Sequence, residues 1–277
     1  MINNLPKRYF YNNKDYKLDF EKKQLILMPE THKMLLEKKL WNKFGFKKIG
    51  GSLVGEVLEV DEFKSQFSAF CKIAWCGLPV LDKKYIKAGI AIENKVVNAL
   101  EQHLKIEIKT FNPEKYNFDY FSDKDEIIGG IPDGFIENKK IIIEIKTTGE
   151  KNYNNWNQFG IPNGYLKQAQ IYSYLMGVDK FWIVATFLKE EDYIDPENYP
   201  IKKRKLKNYP FKLNKEQVKD DINQLKKWYK EHTNSGISPK WDDFKDQDLI
   251  EYLKCENIDQ YIELLEKWKK ENKFIDQ

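Results

Sequence analysis

The fold of this chain is decided by the stretch IIGGIPDGFIENKKIIIEIK, residues 127–146. Two apolar, β-branched runs around a short polar break are typical of a β-hairpin. If Asn138 and Lys139 form the loop, Asp133 lies directly opposite Glu144 on the neighbouring strand. Side chains that face each other in this way have Cβ atoms roughly 4.5–5.5 Å apart. The hairpin therefore predicts two carboxylates in close proximity.

Such a pair of carboxylates predicts a bound cation, because two like charges at this distance repel each other. Lys146 follows Glu144 by two residues and projects from the same face of the strand. Oxygen ligands without a nearby histidine or cysteine favour Mg²⁺ or Mn²⁺ over zinc. A metal of this kind suits phosphodiester hydrolysis, since it lowers the pKa of bound water and neutralises charge on the phosphate. Lys146 would orient the attacking water or stabilise the anionic transition state.

A plainer interpretation of the same residues stays open at this point. One Asp, one Glu and one Lys near a hairpin are also common as solvated surface charges. Against this, the run 141–145 is nearly all apolar, which predicts a central strand buried on both faces. A glutamate in such a strand is costly unless it is paired or binds a metal.

Length and composition limit the class of protein. The chain has 277 residues, of which 41% are hydrophobic and 32% charged. These values allow one large domain or two small ones and exclude a disordered or fibrous chain. The longest largely apolar run, Phe181–Leu188, is too short for a helical membrane span, which needs about twenty residues. No membrane association is expected.

The cysteine and histidine content indicates the compartment. Three cysteines without CxxC spacing and three histidines argue against a disulfide scaffold, a four-cysteine iron–sulfur cluster and a zinc finger. The first six residues carry no signal-peptide pattern. A cytoplasmic, reducing location is therefore expected. The net charge of +4 comes mostly from lysine, and only Arg8 and Arg204 are arginine.

The periodicity of apolar residues predicts further elements outside the hairpin. The predicted helices are 31–48, 53–59 with Ser52 as N-cap, 61–74, 88–103, 165–177, 215–231, about 242–254 and about 258–273. The predicted additional strands are 105–111 and 181–188. The charged, proline-containing segment 189–213 is interpreted as a domain boundary or a long surface loop.

Several of these motifs together resemble a known superfamily. IPDG at 131–134 followed by EIK at 144–146 is similar to the PD-(D/E)xK nuclease signature. YLKQAQIY at 165–172 resembles the helix after the catalytic strand in the RecB-like, YqaJ and lambda-exonuclease group. GGS at 50–52 and GIAIE at 89–93 are similar to upstream segments of YqaJ-type domains.

The resemblance implies roles for the residues at the hairpin. Asp133 and Glu144 would be metal ligands, with the carbonyl of Ile145 as a third. Lys146 would serve the nucleophilic water. Glu93 would approach the metal from its helix, through a water molecule, although an isolated helical glutamate is usually only solvated.

It also implies residues that hold DNA or brace the site. Gln168 and Tyr172 are four residues apart and share a helical face, but Gln170 and Tyr174 form a second such pair, so the pairing stays open. Ser52 would place its hydroxyl and a helix N-terminus against a phosphate, or would act only as an N-cap.

A basic segment offers a further candidate for DNA contact. KKRKLK at 202–207 includes Lys203, Arg204 and Lys205 and has aromatic residues close by. Basic clusters with aromatics follow a phosphate backbone and stack on single-strand bases. In so lysine-rich a chain, a merely solvated loop is the alternative.

The resemblance implies an α/β (α+β) fold with a restriction-endonuclease-like mixed β-sheet core flanked by helices and a helical C-terminal extension. We expect a nuclease domain over 1–213, with its core at about 50–188, and a helical extension over 214–277 that packs on the core or forms an oligomerisation surface.

The implied function is a Mg²⁺-dependent (or Mn²⁺-dependent) DNA exonuclease of phage-type recombination or repair. DNA is the expected partner, with a single-strand annealing or recombination protein and a homo-oligomer as further options. Ile131 stands where lambda-type exonucleases tend to carry a serine, which argues against a 5′-phosphate preference. The alternatives are a structure-specific or restriction-type endonuclease on the same fold and a non-catalytic DNA-binding protein.

Overall fold

The computed structural model describes residues 5–37 and 44–275. Its strands are β1 (Tyr16–Asp19), β2 (Gln24–Leu27), β3 (Gly134–Ile136), β4 (Ile141–Gly149), β5 (Lys180–Leu188) and β6 (Lys205–Lys212). Its helices are α1 (Pro29–Leu36), α2 (Gly51–Val57), α3 (Gln66–Ile73), α4 (Lys84–Leu104), α5 (Asn152–Phe159), α6 (Asn163–Met176), α7 (Glu190–Ile194), α8 (Lys215–Ser235), α9 (Gln247–Leu253) and α10 (Ile258–Lys270). Among the helices that the structure describes, none combines the length and apolar character needed to cross a membrane.

The described residues of the chain group into two compact units. One contains the described parts of 1–49, 56–83 and 224–277, and the other contains 50–55 and 84–223. The C-terminal helices α9 and α10 therefore belong with the N-terminal residues. Within that unit, Arg8 donates to the carbonyl of Tyr252 at 2.7 Å and the hydroxyl of Tyr16 donates to the carbonyl of Leu253 at 2.8 Å.

The second unit is built on a four-stranded mixed sheet, as expected, with strand order β3-β4-β5-β6. β3 and β4 are antiparallel, β4 and β5 are parallel, and β5 and β6 are antiparallel. The predicted hairpin register is confirmed, since Gly134 pairs with Ile143 and Ile136 with Ile141. The loop is longer than the predicted pair of residues: a short 3₁₀ turn over Glu137–Lys139 leads into Lys140, whose φ is 52°. One extra residue on each side of the loop leaves the register unchanged.

Helices cover both faces of this sheet. The alternate β4 residues Ile141, Ile143 and Ile145 form a buried cluster with Ile92 and Val96 of α4. α6 packs against β4 and β5. Residues 141–145 of β4 are thus buried on both faces, as the apolar run predicts, and Glu144 is the polar residue among these five.

The structure corrects three of the predicted helices near the N-terminus. The helix expected over 31–48 ends at Leu36; residues 44–48 are not helical, and 38–43 lie outside the described residues. α2 begins at Gly51, so Ser52 lies in the first turn and is not the N-cap. The helix expected over 61–74 begins at Gln66, because the side chain of Ser65 accepts the Ser68 amide and caps it.

One predicted strand was also wrong, and one strand was missed. The stretch 105–111 forms only a bridge, in which Lys109 and Phe135 exchange backbone hydrogen bonds of 2.9 and 2.8 Å. The segment interpreted as a boundary or loop, 189–213, contains α7 and the edge strand β6. Phe211 of β6 stacks on Phe181 of β5 at 5.3 Å between ring centroids. Pro210 is tolerated there because an edge strand has one unpaired side.

Candidate active site

β4 places Glu144 and Lys146 on one face of the sheet. The Glu144 side chain is 0% exposed and that of Lys146 is 15% exposed, with 3.1 Å between Lys146 Nζ and Glu144 Oε2. Because strand side chains alternate, this contact follows directly from their two-residue spacing. The hairpin therefore holds an ammonium group against a fully buried carboxylate.

Asp133 enters the same site from the start of β3. One further step in the hairpin register sets it opposite Glu144. Its Oδ2 atom accepts a 2.6 Å hydrogen bond from the backbone amide of Ile145. That bond fixes the orientation of the Asp133 carboxylate relative to β4.

Gln168 of α6 joins the two charged groups of β4. Its Nε2 donates to Glu144 Oε2 at 2.9 Å, and its Oε1 accepts from Lys146 Nζ at 3.2 Å. The side-chain oxygen of Gln170, by contrast, is buried without a hydrogen-bond partner. Of the two glutamines that the sequence left open, Gln168 is the one in contact with the hairpin residues.

Tyr172 lies one turn beyond Gln168, and its hydroxyl packs against two glycines, Gly51 and Gly130. A Cβ atom on Gly130 would lie 1.9 Å from the Tyr172 hydroxyl oxygen, and one on Gly51 would lie 2.3 Å from it. Gly130 also has a φ of +144°, which a residue with a side chain rarely adopts. This role of Gly130 was not predicted from the sequence, although its place two residues before Pro132 of the IPDG motif was a usable signal.

The electrostatics of the cluster favour protonated acids when no cation balances them. Burial, with the Asp133 carboxylate second, raises the pKa of Glu144 to about 8. Burial and the same aspartate raise the pKa of Glu93, on α4, to about 7. Burial also raises the pKa of Asp133. For Lys146 burial acts to lower the pKa, but the Glu144 and Asp133 charges outweigh it and raise the pKa.

These groups fit a divalent metal ion by their chemistry. Glu144 Oε1 is buried and has no hydrogen-bond partner, which is costly in a protein interior. Carboxylate oxygens are the ligands that Mg²⁺ and Mn²⁺ prefer, and a cation would relieve the repulsion among the acids. Within residues 5–37 and 44–275 no three acidic, histidine or cysteine side chains are already gathered in metal-binding geometry. Glu144 Oε2 is instead held by Lys146 and Gln168.

The remaining predicted DNA-contact residues lie on α2 and in the segment 203–205. Ser52 is exposed in the first turn of the seven-residue helix α2. Arg204 is 8% exposed and its guanidinium bonds Asp192 and Glu191 at 2.6 Å each, so it is committed to a structural ion pair with α7. Lys203 is exposed in a short 3₁₀ turn, and Lys205 Nζ lies 4.4 Å from the ring centroid of Tyr153.

The sheet is mixed and flanked by helices, and its hairpin brings together Asp133, Glu144 and Lys146. These features define a nuclease of the PD-(D/E)xK superfamily. Residues 40–179 match the family of YqaJ-like viral recombinase domains, and the chain belongs to this family. Divalent metal use is general among nucleases of this kind.

Similar proteins are known at the level of sequence and of fold. An uncharacterized protein of Mycoplasma genitalium is 28% identical over 270 residues, covering 82% of this chain and 93% of that protein. Its homologue in Mycoplasma pneumoniae is 23% identical over the same shares of both chains. The crystal structure of an alkaline exonuclease from Laribacter hongkongensis matches with a TM-score of 0.50 and 11% identity, covering 68% of this chain and 89% of that one. Its complex with dAMP gives 0.51 and 14% over the same shares.

Proposed function

We propose that this protein is a divalent-metal-dependent DNA exonuclease that hydrolyses phosphodiester bonds from DNA ends, with Mg²⁺ or Mn²⁺ as the metal. The observation that carries the proposal is the fully buried Glu144, whose Oε1 atom has no partner and which lies beside Asp133. A cation would satisfy that oxygen and offset the like charges. Membership of the YqaJ-like family supports DNA as the substrate.

Asp133, Glu144 and the carbonyl of Ile145 would hold the metal, with Glu93 acting through water. The metal would supply an activated water molecule and neutralise charge on the phosphate. Lys146 would position that water or donate to a phosphate oxygen as negative charge develops there. Gln168 would hold the side chains of Glu144 and Lys146 in position, since its amide group forms a hydrogen bond with each of them.

The cellular setting follows from the family rather than from the site. Viral recombinase domains support a place in phage-type recombination or repair, with a single-strand annealing or recombination protein as partner and a homo-oligomer as a further option. Cys71, Cys76 and Cys255 are buried free thiols, which is consistent with a reducing cytoplasm.

Digestion of end-labelled linear duplex tests the proposal. Strands with and without a 5′-phosphate are incubated with Mg²⁺, Mn²⁺ or EDTA beside a covalently closed circle of the same sequence. We expect stepwise shortening of the linear DNA in either metal, no cleavage in EDTA and an intact circle. Equal use of 5′-phosphorylated and unphosphorylated ends is expected from Ile131. Cleavage of the circle would favour the endonuclease, and inertness in both metals would favour the non-catalytic protein.

A further inference from the structure

The register of the sheet carries the active face beyond β4 to the edge strand β6. Lys146 pairs with Ala185 of β5, and Ala185 pairs with Lys207 of β6. Residues paired in this way lie in one row and on one face, so Lys207 is displaced from Lys146 by two strand spacings, about 10 Å. Lys205 lies two residues earlier on β6 and therefore shares that face.

α5 joins this edge from the same side. Lys207 Nζ donates to the side-chain oxygen of Asn157, which also accepts from the Tyr209 hydroxyl at 3.3 Å. Lys205 lies over the ring of Tyr153, with 4.4 Å between Nζ and the centroid. The edge surface, defined here as Lys205, Lys207 and Tyr209 of β6 with Tyr153 and Asn157 of α5, thus lies on the same side of the sheet as Lys146, with the buried Ala185 between Lys146 and Lys207 in the row.

The edge surface lies in two segments of the chain that lack acidic residues. Residues 151–178 and 198–215 contain no Asp or Glu, in a chain where 43 of 277 residues are acidic. The two acid-free segments meet through the contacts of α5 with β6. One acid does approach, since Glu150 Oε1 lies 3.7 Å from Lys205 Nζ, while Lys205 stays 48% exposed. The result is a surface of lysines, amides and aromatic rings.

The aromatic rings near the edge surface favour single-stranded over double-stranded DNA as its ligand. Tyr153 and Tyr209 are half-buried, and Phe159 at the end of α5 is 78% exposed. Lysines that track a phosphate backbone, combined with rings on which bases stack, are the features of single-strand binding sites. A duplex presents its phosphates but keeps its bases stacked inside, so exposed rings add little to duplex binding.

We propose that the edge surface binds a single DNA strand that runs between the catalytic hairpin and β6. This proposal rests on the proposed nuclease function, but its test measures DNA binding and does not depend on cleavage. Arg204 was expected to contact DNA, but its guanidinium is committed to Asp192. The edge surface contains Lys207 instead, which was not among the DNA-contact residues predicted individually from the sequence.

The test compares two pairs of lysines in this part of the sheet, one pair on β6 and the other divided between β5 and β6. Lys205→Gln with Lys207→Gln removes two charges from the edge surface. The control, Lys180→Gln with Lys212→Gln, removes two exposed charges that pair with each other in the sheet and, by strand alternation, lie on the opposite face. A third variant, Lys205→Arg with Lys207→Arg, keeps the charges. All are made in a Glu144→Gln background in EDTA and checked for an unchanged unfolding midpoint.

The readout is fluorescence anisotropy with a labelled 20-nucleotide single strand and a 20-base-pair duplex over a series of salt concentrations. We expect the edge-surface variant to bind the single strand about 10-fold more weakly and to lose about 1.4 from the slope of log K against log salt. The control and the arginine variant should bind like the parent, and duplex binding should change by less than about threefold.

Three results would overturn the edge surface: no measurable single-strand binding by the parent, equal affinities of the edge-surface and control variants, or an equal loss on the duplex. Failure of the nuclease proposal is a separate result, because it is seen as an absence of cleavage by the unmodified protein in Mg²⁺ and Mn²⁺. The two proposals can therefore fail independently.

Discussion

Among the residues that the structure describes, the two glutamates Glu56 and Glu144 are completely buried, and their surroundings differ. Glu56, in the unit that contains the N-terminal residues, bonds Lys72 at 2.6 Å through Oε1 and Ser68 at 2.7 Å through Oε2, and Lys64 lies 3.4 Å away. Glu144 bonds Lys146 and Gln168 through Oε2 alone, while Oε1 has no partner.

The charged groups around the two glutamates also differ. Glu56 has two lysines and a hydroxyl as partners, and these satisfy a carboxylate. Glu144 lies near the carboxylates of Asp133 and Glu93, which act together with burial to raise its pKa. A buried acid with all of its bonds made stabilises a fold, whereas one with an unmet oxygen among like charges indicates a functional site.

The largest difference between the two glutamates should appear in activity. Glu144→Gln is expected to lower the rate of Mg²⁺-dependent DNA cleavage by at least about 100-fold, because the proposed metal ligand is lost. Asp133→Asn should do the same. Both variants should keep the far-ultraviolet circular dichroism spectrum of the parent. Cleavage by Glu144→Gln within about threefold of the parent would remove this site from the account.

The next largest effect concerns the two glutamines of α6. Gln168→Ala should slow cleavage about 10–100-fold, since residues that orient metal ligands contribute this much. Gln170→Ala is the matched control, because its oxygen makes no hydrogen bond, and its rate should stay close to that of the parent. Initial rates on end-labelled duplex at saturating Mg²⁺ measure both. Equal losses would show that α6 acts through helix stability alone.

For Glu56 the expected effect is on stability. Glu56→Gln leaves Lys72 and Lys64 without their carboxylate and should lower the free energy of unfolding by about 1–3 kcal/mol. Urea unfolding at neutral pH measures this loss, and cleavage by the folded protein should remain. An unchanged unfolding midpoint would contradict the contrast between the two acids.

The sequence allowed the hairpin register to be predicted because side chains alternate strictly along a strand, so Asp133 and Glu144 are brought together even though the loop has four residues. It did not reveal β6, since lysines and Pro210 on an edge strand resemble a loop. The choice between Gln168 and Gln170 depends on how α6 rotates against the sheet, which local sequence does not encode. The ion pair of Arg204 was also not predicted, because its partner Asp192 is twelve residues away in the sequence.

The smallest expected effect is a dependence of metal stabilisation on pH. Without a cation, the folded-state pKa values of Glu144, about 8, and Glu93, about 7, lie above the ordinary value of 4.5. The folded protein then binds more protons than the unfolded chain between about pH 4.5 and 8, so stability falls as pH rises through this window. Mg²⁺ competes with these protons and should raise the unfolding temperature more at about pH 8.5 than at about pH 6.

Thermal unfolding with Mg²⁺ or EDTA at both pH values measures this effect. Glu144→Gln serves as the control, because it removes the group with the higher pKa and should flatten the difference. A Mg²⁺ effect that is larger at the lower pH would contradict the assignment of these carboxyls to the metal.

Calorimetric titration of Mn²⁺ into the protein at about pH 8 measures whether Asp133 and Glu144 hold a metal ion. We expect saturable binding that releases protons to the buffer and that is lost in both Asp133→Asn and Glu144→Gln, while Glu56→Gln binds like the parent. Binding that survives in Asp133→Asn and Glu144→Gln, or the absence of any binding by the parent, would contradict this expectation.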